Sequence, residues 1–226
     1  MINYKPVIAI ASAAFVALTL SWSASADPQT ASVDVDVEKY IGTDVGDVAR
    51  SRGQFAALQS GVARSLFEGG DIKFLDTIIT GADTRAEIEF VDDTYLMIGD
   101  NSRLTIDEMV FEPGIRSKGV ITLTQGVFRM VSGKINKVTG GELTINSPVA
   151  TIGIRGTDFW GLQEKDKLTM ALIDNGILEI TGADGKTVVL DTPLQAVVIE
   201  RGKPTPDAPF SLTPAQLQEA AKTVTY

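Results

Sequence analysis

The sequence predicts an all-β protein: a compact β-sandwich or a short β-solenoid of many short strands, closed by a short C-terminal helix. Three observations predict it. From about Val45 to Arg201, runs rich in Val, Ile, Thr and Phe are broken by Gly, Asn and Asp clusters at intervals of about 8 to 12 residues. Several of these runs alternate apolar and polar residues, the period of a half-buried strand. No segment of that range keeps a 3.6-residue apolar period over three helical turns.

The elements follow in order. Residues 27–44 form a polar lead-in in which Val33-Asp34-Val35-Asp36-Val37 alternates. Ala86 to Phe90 alternates, and Asp92-Asp93 turns the chain into Tyr95 to Ile98 as a hairpin, with the acid pair read as a solvated turn. Gly99 to Ser102 turns it again before Leu104-Thr105-Ile106. Val120 to Leu123 and Val127 to Val131 predict a second hairpin about Gln125-Gly126. Leu168 to Ile173 and Ile177 to Ile180 flank Asp174-Asn175-Gly176, whose Asn-Gly pair is a strong two-residue turn signal. Ala183-Asp184-Gly185 leads into Val188 to Leu190, and Ala196 to Ile199 closes the series. Leu104-Thr105-Ile106-Asp107 and Leu143-Thr144-Ile145-Asn146 match one another, which keeps the solenoid open beside the sandwich. In 203–226, Pro204, Pro206 and Pro209 predict an extended linker. Thr213-Pro214-Ala215-Gln216 then reads as an N-cap, a proline at the first helical position and a capping glutamine, opening a helix to about Lys222 with Leu212, Leu217 and Ala221 toward the sheet.

The N-terminus predicts export. Lys5 precedes Val7 to Leu20, which carries no charge, and Ala24-Ser25-Ala26 offers small residues for cleavage before Asp27. Residues 1–26 are thus expected to be a signal peptide, and 45–202 the β-domain of a periplasmic or secreted protein. After cleavage no membrane insertion is expected, because no later segment is long and apolar enough to span.

Composition removes whole classes of function. The net charge is −9, and loss of Lys5 leaves 19 basic against 29 acidic residues. Nucleic acid is therefore a poor partner, since phosphate binding needs clustered cations. There is no cysteine and no histidine, which excludes a disulfide scaffold, a thiolate metal site and a histidine-based triad. No cofactor, metal or catalytic residue is expected. Oxygen-rich stretches at Thr43 to Asp47 and Asp100 to Ser102 lack the spacing of a calcium loop, so calcium is left open. The enzymatic alternative is a carboxylate-based hydrolase of an envelope glycan, which needs two facing acids that the sequence does not identify.

The densest motif runs from Ser147 to Trp160, with Arg155 between Gly153 and Gly156 and followed by Thr157, Phe159 and Trp160. Two roles are open for Arg155. A buried guanidinium needs an acid, with Asp83, Asp92 and Asp174 the candidates, and would tie two layers together. Alternatively these six residues mark a recognition surface with Trp160 as its anchor. The structural role is the stronger expectation, because structural ion pairs often mimic sites.

Pro148-Val149-Ala150-Thr151-x-Gly153-x-Arg155-Gly156-Thr157-x-Phe159 closely resembles the signature of the FecR domain family. Upstream motifs continue the likeness in order: Asp76-x-Ile78-x-Thr80-Gly81, Asp92-Asp93-Thr94-x-Leu96-x-Ile98-Gly99, and Gly126-x-Phe128-Arg129. The resemblance implies an all-β periplasmic sensor domain without catalysis. In founding members that domain is joined through a membrane helix to a cytoplasmic anti-sigma domain and reads an outer-membrane receptor. Neither a membrane helix nor a cytoplasmic domain is evident here, so the implied partner is an envelope protein (an outer-membrane receptor or a membrane sensor) or a cell-surface glycan. A glycan would call for an exposed aromatic strip.

Overall fold

Alternating burial along each strand places apolar residues on one side of the backbone, and two sheets bury those sides against each other. The computed structural model describes residues 37–226; the expected signal peptide and the start of the lead-in lie outside them. After a single 3-10 turn at Val37–Tyr40 come β1 (Asp44–Arg52), β2 (Phe55–Gln59), β3 (Val62–Ser65), β4 (Asp71–Lys73), β5 (Thr77–Thr80) and β6 (Arg85–Phe90). There follow β7 (Tyr95–Ile98), β8 (Arg103–Glu112), β9 (Arg116–Val131), β10 (Glu142–Asn146), β11 (Ala150–Arg155) and β12 (Asp158–Gln163). The series ends with β13 (Lys167–Leu172), β14 (Ile177–Gly182), β15 (Thr187–Leu190), β16 (Gln195–Glu200), β17 (Phe210–Ser211) and the helix α1 (Pro214–Lys222). No helix among the described residues is long and apolar enough to cross a membrane.

The first sheet runs β4-β1-β6-β7-β9-β12-β13-β16-β17. The second runs β3-β2-β5-β8-β9-β10-β11-β14-β15. Pairings are antiparallel apart from the parallel β9–β10. The chain lays down a strand or a pair of strands in one layer, crosses, and continues in the other. The molecule is therefore a sandwich by packing, with the progressive stacking of a solenoid. The two matching Leu-Thr-Ile segments are β8 and β10, and they flank one strand: Ile106 and Ile145 both face Ile121 of β9.

Two expected hairpins are absent. Val120–Leu123 and Val127–Val131 belong to one 16-residue strand, β9, which pairs with β8 and β10 before Gly126 and with β7 and β12 from Gly126 on. Gln125-Gly126 is where that strand bends from the second sheet into the first. Likewise β13 and β14 do not pair; Asp174-Asn175-Gly176 carries the chain between layers. A side chain on Gly176 would overlap the Gly156 carbonyl and Thr157 Cβ, so this corner nests against the β11–β12 corner. The hairpin β6–β7 forms as expected, and β14 pairs with β15 across the Ala183-Asp184-Gly185 turn.

Inward residues of both sheets make one core, including Ile88, Leu96, Phe128, Met130, Phe159 and Met170 from the first and Leu104, Ile121, Ile145, Ile152, Ile154 and Ile180 from the second. Phe128 and Phe159 meet edge to face at 5.8 Å and 84°. The outer face of the first sheet carries a smaller apolar cluster, Val127, Trp160, Ala171 and Ala196, covered by Ala220 of α1 and by Val224 just after it. Thr213 caps α1: its Oγ1 accepts from the Gln216 N–H, and the Gln216 side chain accepts from the Thr213 N–H at 2.9 Å. Trp160 Nε1 donates to Thr223 Oγ1 at 2.9 Å, and Tyr226 reaches Arg50, whose guanidinium lies 4.4 Å from the ring centre.

The proline segment is pinned rather than free. Thr205 is buried and donates from Oγ1 and N to the two carboxylate oxygens of Asp184, at 2.7 and 2.9 Å. These bonds, the hydroxyl's first, lower the Asp184 pKa from 3.8 to about 2. A depressed folded pKa stabilises above the unfolded value, and that contribution is lost as pH falls through the folded one. The Thr205 amide resonance is therefore expected to stay constant down to about pH 4 and to move with a midpoint near 2. A midpoint at 3.8 in an NMR titration would mean that the tether is not made in solution.

Candidate functional site

The signature segment folds as a corner between layers, and the corner sorts its six candidate residues. In β11, Ile152 and Ile154 are buried, so Gly153 and Arg155 face outward on the second sheet. Gly156 then turns the chain with φ +56 and open space where a Cβ would stand. Thr157 is buried and locks the corner: its N–H donates to Ser132 Oγ at 2.7 Å, and Ser132 N–H and Oγ donate back to its carbonyl. Phe159 enters the core at 0% exposure, and Trp160 points outward on the first sheet, beneath α1. The structure therefore separates the candidates: Gly153 and Arg155 share one surface, Thr157 and Phe159 are buried, and Trp160 is no exposed anchor.

Arg155 does not staple the layers. Its side chain is 68% exposed and, among the described residues, makes one ion pair, to Glu179 at 3.3 Å; none of Asp83, Asp92 or Asp174 is its partner. Alternation explains this, because a residue next to buried Ile154 points to the outer face of the second sheet, which no helix covers. Arg155→Ala is expected to change stability by less than about 1 kcal/mol, the range of exposed ion pairs. A thermal melt showing a loss of several kcal/mol would restore the buried reading.

The ion pairs that do brace the fold lie elsewhere. Arg129 of β9 grips Asp158 of β12 through Nε at 2.8 Å and Nη2 at 2.6 Å, and those hydrogen bonds raise the guanidinium pKa. Arg64 bonds the buried Asp76 at 2.6 Å. Asp92 is fully buried and bound to Thr94 and Ile135, so the Asp92-Asp93 pair is not a solvated turn; Asp93 alone is exposed. The acids offered for calcium face cations instead, Asp44 toward Lys73 and Asp100 toward Arg85. Among the described residues no group of three or more acids could hold a metal.

Two concavities adjoin the motif residues. One, of about 540 Å³, lies between α1 and the first sheet, lined by Trp160, Leu162, Val198, Phe210 and Leu212 among others. The other, of about 440 Å³, lies over the uncovered outer face of the second sheet. Its floor is Gly153, and its walls include Asn136, Glu142, Thr144, Arg155 and Glu179. Register puts Thr144 on one side of Gly153 and Glu179 on the other. Beside it a polar row crosses the sheet in register, Thr77, Thr105, Thr122, Asn146, Thr151, Thr181 and Thr187. Thr77 and Thr105 bond at 2.9 Å, Thr181 and Thr187 at 2.8 Å. The row and Glu142 were missed in the sequence because only long-range strand order aligns them.

Residues 76–178, which run from the buried Asp76 through the motif corner to β14, match the family model described as FecR protein. Over these residues, rather less than half of the chain, the sequence is similar to FecR proteins. Two crystal structures described as those of a candidate anti-sigma factor from Parabacteroides distasonis ATCC 8503 share its fold. One aligns with a TM-score of 0.51 at 11% identity, covering 64% of this chain and 63% of the other. The second gives 0.50 at 10% identity, with 63% and 62% covered. This chain thus spans less than two thirds of their length, and at such identities the likeness concerns fold alone. No curated protein matches the sequence.

Proposed function

We propose that this protein is an exported, non-enzymatic FecR-type binding or sensing module that engages a protein partner in the bacterial envelope through the outer face of its second sheet. The observation that carries this reading is the inequality of the two outer faces. The first is covered by α1 over Trp160, whereas the second leaves motif residues Gly153 and Arg155 uncovered over a polar cleft. Exposed Ile177 and Val189 adjoin them through the pairs Arg155–Ile177 and Glu179–Val189, giving the mixed apolar and charged surface of a protein interface. A glycan partner is the weaker reading, since the one tryptophan of the domain lies beneath a helix. Export is supported by the charge-free Val7 to Leu20 stretch and Ala24-Ser25-Ala26.

Photo-crosslinking in living cells tests both parts. A benzophenone side chain at Thr151, on the second sheet, is expected to give discrete envelope-protein adducts, while one at Thr169, on the first, gives none. The mature N-terminus is expected at Asp27. Adducts from Thr169 alone, or an uncleaved cytosolic chain, would overturn the reading.

A further inference from the structure

Gly153 is a glycine that the fold does not require. It sits inside β11 with strands paired on both sides, and its φ is not among the left-handed ones. A Cβ there would meet nothing closer than Glu179 Oε2 at 3.7 Å, an ordinary contact. Gly119 and Gly161, also within strands, differ: a Cβ would stand 2.6 Å from Leu143 Cδ1 in the first and 2.7 Å from Phe128 Cζ in the second. An interior strand glycine is unfavourable relative to alanine, because it loses more backbone freedom on folding. What its missing side chain provides here is the open floor of the cleft.

The lining specifies the occupant. Glu142 and Glu179 face a single guanidinium, Arg155, whose one contact is long and exposed. Glu142 forms no ion pair among the described residues; its register neighbour Lys118 pairs with Glu108, at 3.8 Å. The lining thus carries one net negative charge, which disfavours an anion, and its polar groups disfavour an apolar group. Asn136 adds a buried amide nitrogen, Nδ2, without an acceptor, which suits a peptide carbonyl. We propose that the cleft over Gly153 receives a lysine or arginine side chain of a protein partner, its head between Glu142 and Glu179 and its aliphatic stem over the glycine. This rests on the second sheet's outer face being the contact surface.

The test uses the ¹⁵N-labelled protein and three capped tripeptides, acetyl-Gly-Arg-Gly-amide, its lysine counterpart and its glutamate counterpart. The basic peptides are expected to shift the amides of Glu142, Gly153 and Glu179 saturably, and the glutamate peptide to leave them unmoved. Glu142→Gln should weaken binding about tenfold, the loss of one charge-assisted contact. Gly153→Val should abolish it while leaving the melting temperature within the spread of surface variants. Absence of saturable shifts, equal binding of the glutamate peptide, or undiminished binding by a folded Gly153→Val protein would each overturn the inference. Failure here with crosslinks still forming at Thr151 would remove the basic side chain and keep the contact face; loss of those crosslinks would remove the face itself.

Discussion

Replacing Gly126 by alanine is expected to cost about 4 kcal/mol or more, because it combines backbone strain with buried donors left unbonded. Gly126 has φ +103, a conformation that alanine rarely adopts, and an added Cβ would overlap Ser102 at its Cα, Cβ and Oγ. Ser102 is not free to retreat. It is buried, its N–H donates to Thr80 Oγ1 at 2.8 Å, and its Oγ accepts from the Val127 N–H at 3.0 Å. Thr80 Oγ1 in turn donates to the Gly99 carbonyl at 2.7 Å. These bonds fix the point at which β9 passes from one sheet to the other, so the strain falls on the strand that both layers share. Gly140→Ala supplies the control: φ is +75 there, but nothing lies within 4 Å of the new methyl. Its cost is expected to be about 1 kcal/mol, from backbone alone. Urea denaturation of the two variants separates the contributions. Equal losses would mean that the corner is soft and the crowding at Ser102 is absorbed.

The same corner shows where sequence reasoning stops. The hairpin at Asp92-Asp93, whose strands stay in one sheet, was legible, as was the turn at Ala183-Asp184-Gly185, because turn chemistry and alternation are local. Gln125-Gly126 and Asn175-Gly176 carry equally good turn residues yet lead into the opposite layer. A glycine reports that the backbone turns left-handed; which sheet receives the next strand is set by packing many residues away. The helix α1 was legible from Thr213, Pro214 and Gln216, since capping is also local. The Leu217 and Ala221 contacts were expected, but the more deeply buried Ala220 and Val224 were not. For the site, alternation about Ile152 and Ile154 held enough to turn Arg155 outward. It also turns Trp160 outward, and there outward is not exposed, because a helix from the far end of the chain lies over it.

Asp92→Ala is expected to destabilise the protein by about 3–5 kcal/mol, since three donors lose their acceptor inside the structure. The Asp92 side chain accepts from Thr94 N at 3.1 Å, from Thr94 Oγ1 at 2.8 Å and from Ile135 N at 3.1 Å. The Asp92 carbonyl also takes the Lys134 N–H at 2.7 Å, and Thr94 Oγ1 takes the Gly133 N–H at 2.9 Å. Alanine leaves the carbonyl bond intact, so the measured loss belongs to the carboxylate. Asp92→Asn keeps an acceptor for Thr94 but sets an amide against the Ile135 N–H, and about half the loss is expected. The consequence reaches the proposed site. Ile135–Lys137 is a short 3-10 turn anchored by buried Ile135, and Asn136 of that turn is a wall of the cleft over Gly153. An Asp92→Ala protein, held folded at low temperature, should therefore bind the basic tripeptides more weakly although Asp92 does not line the cleft. A loss under about 1 kcal/mol in urea denaturation would mean that water replaces the carboxylate and that the turn is held by its apolar contacts instead.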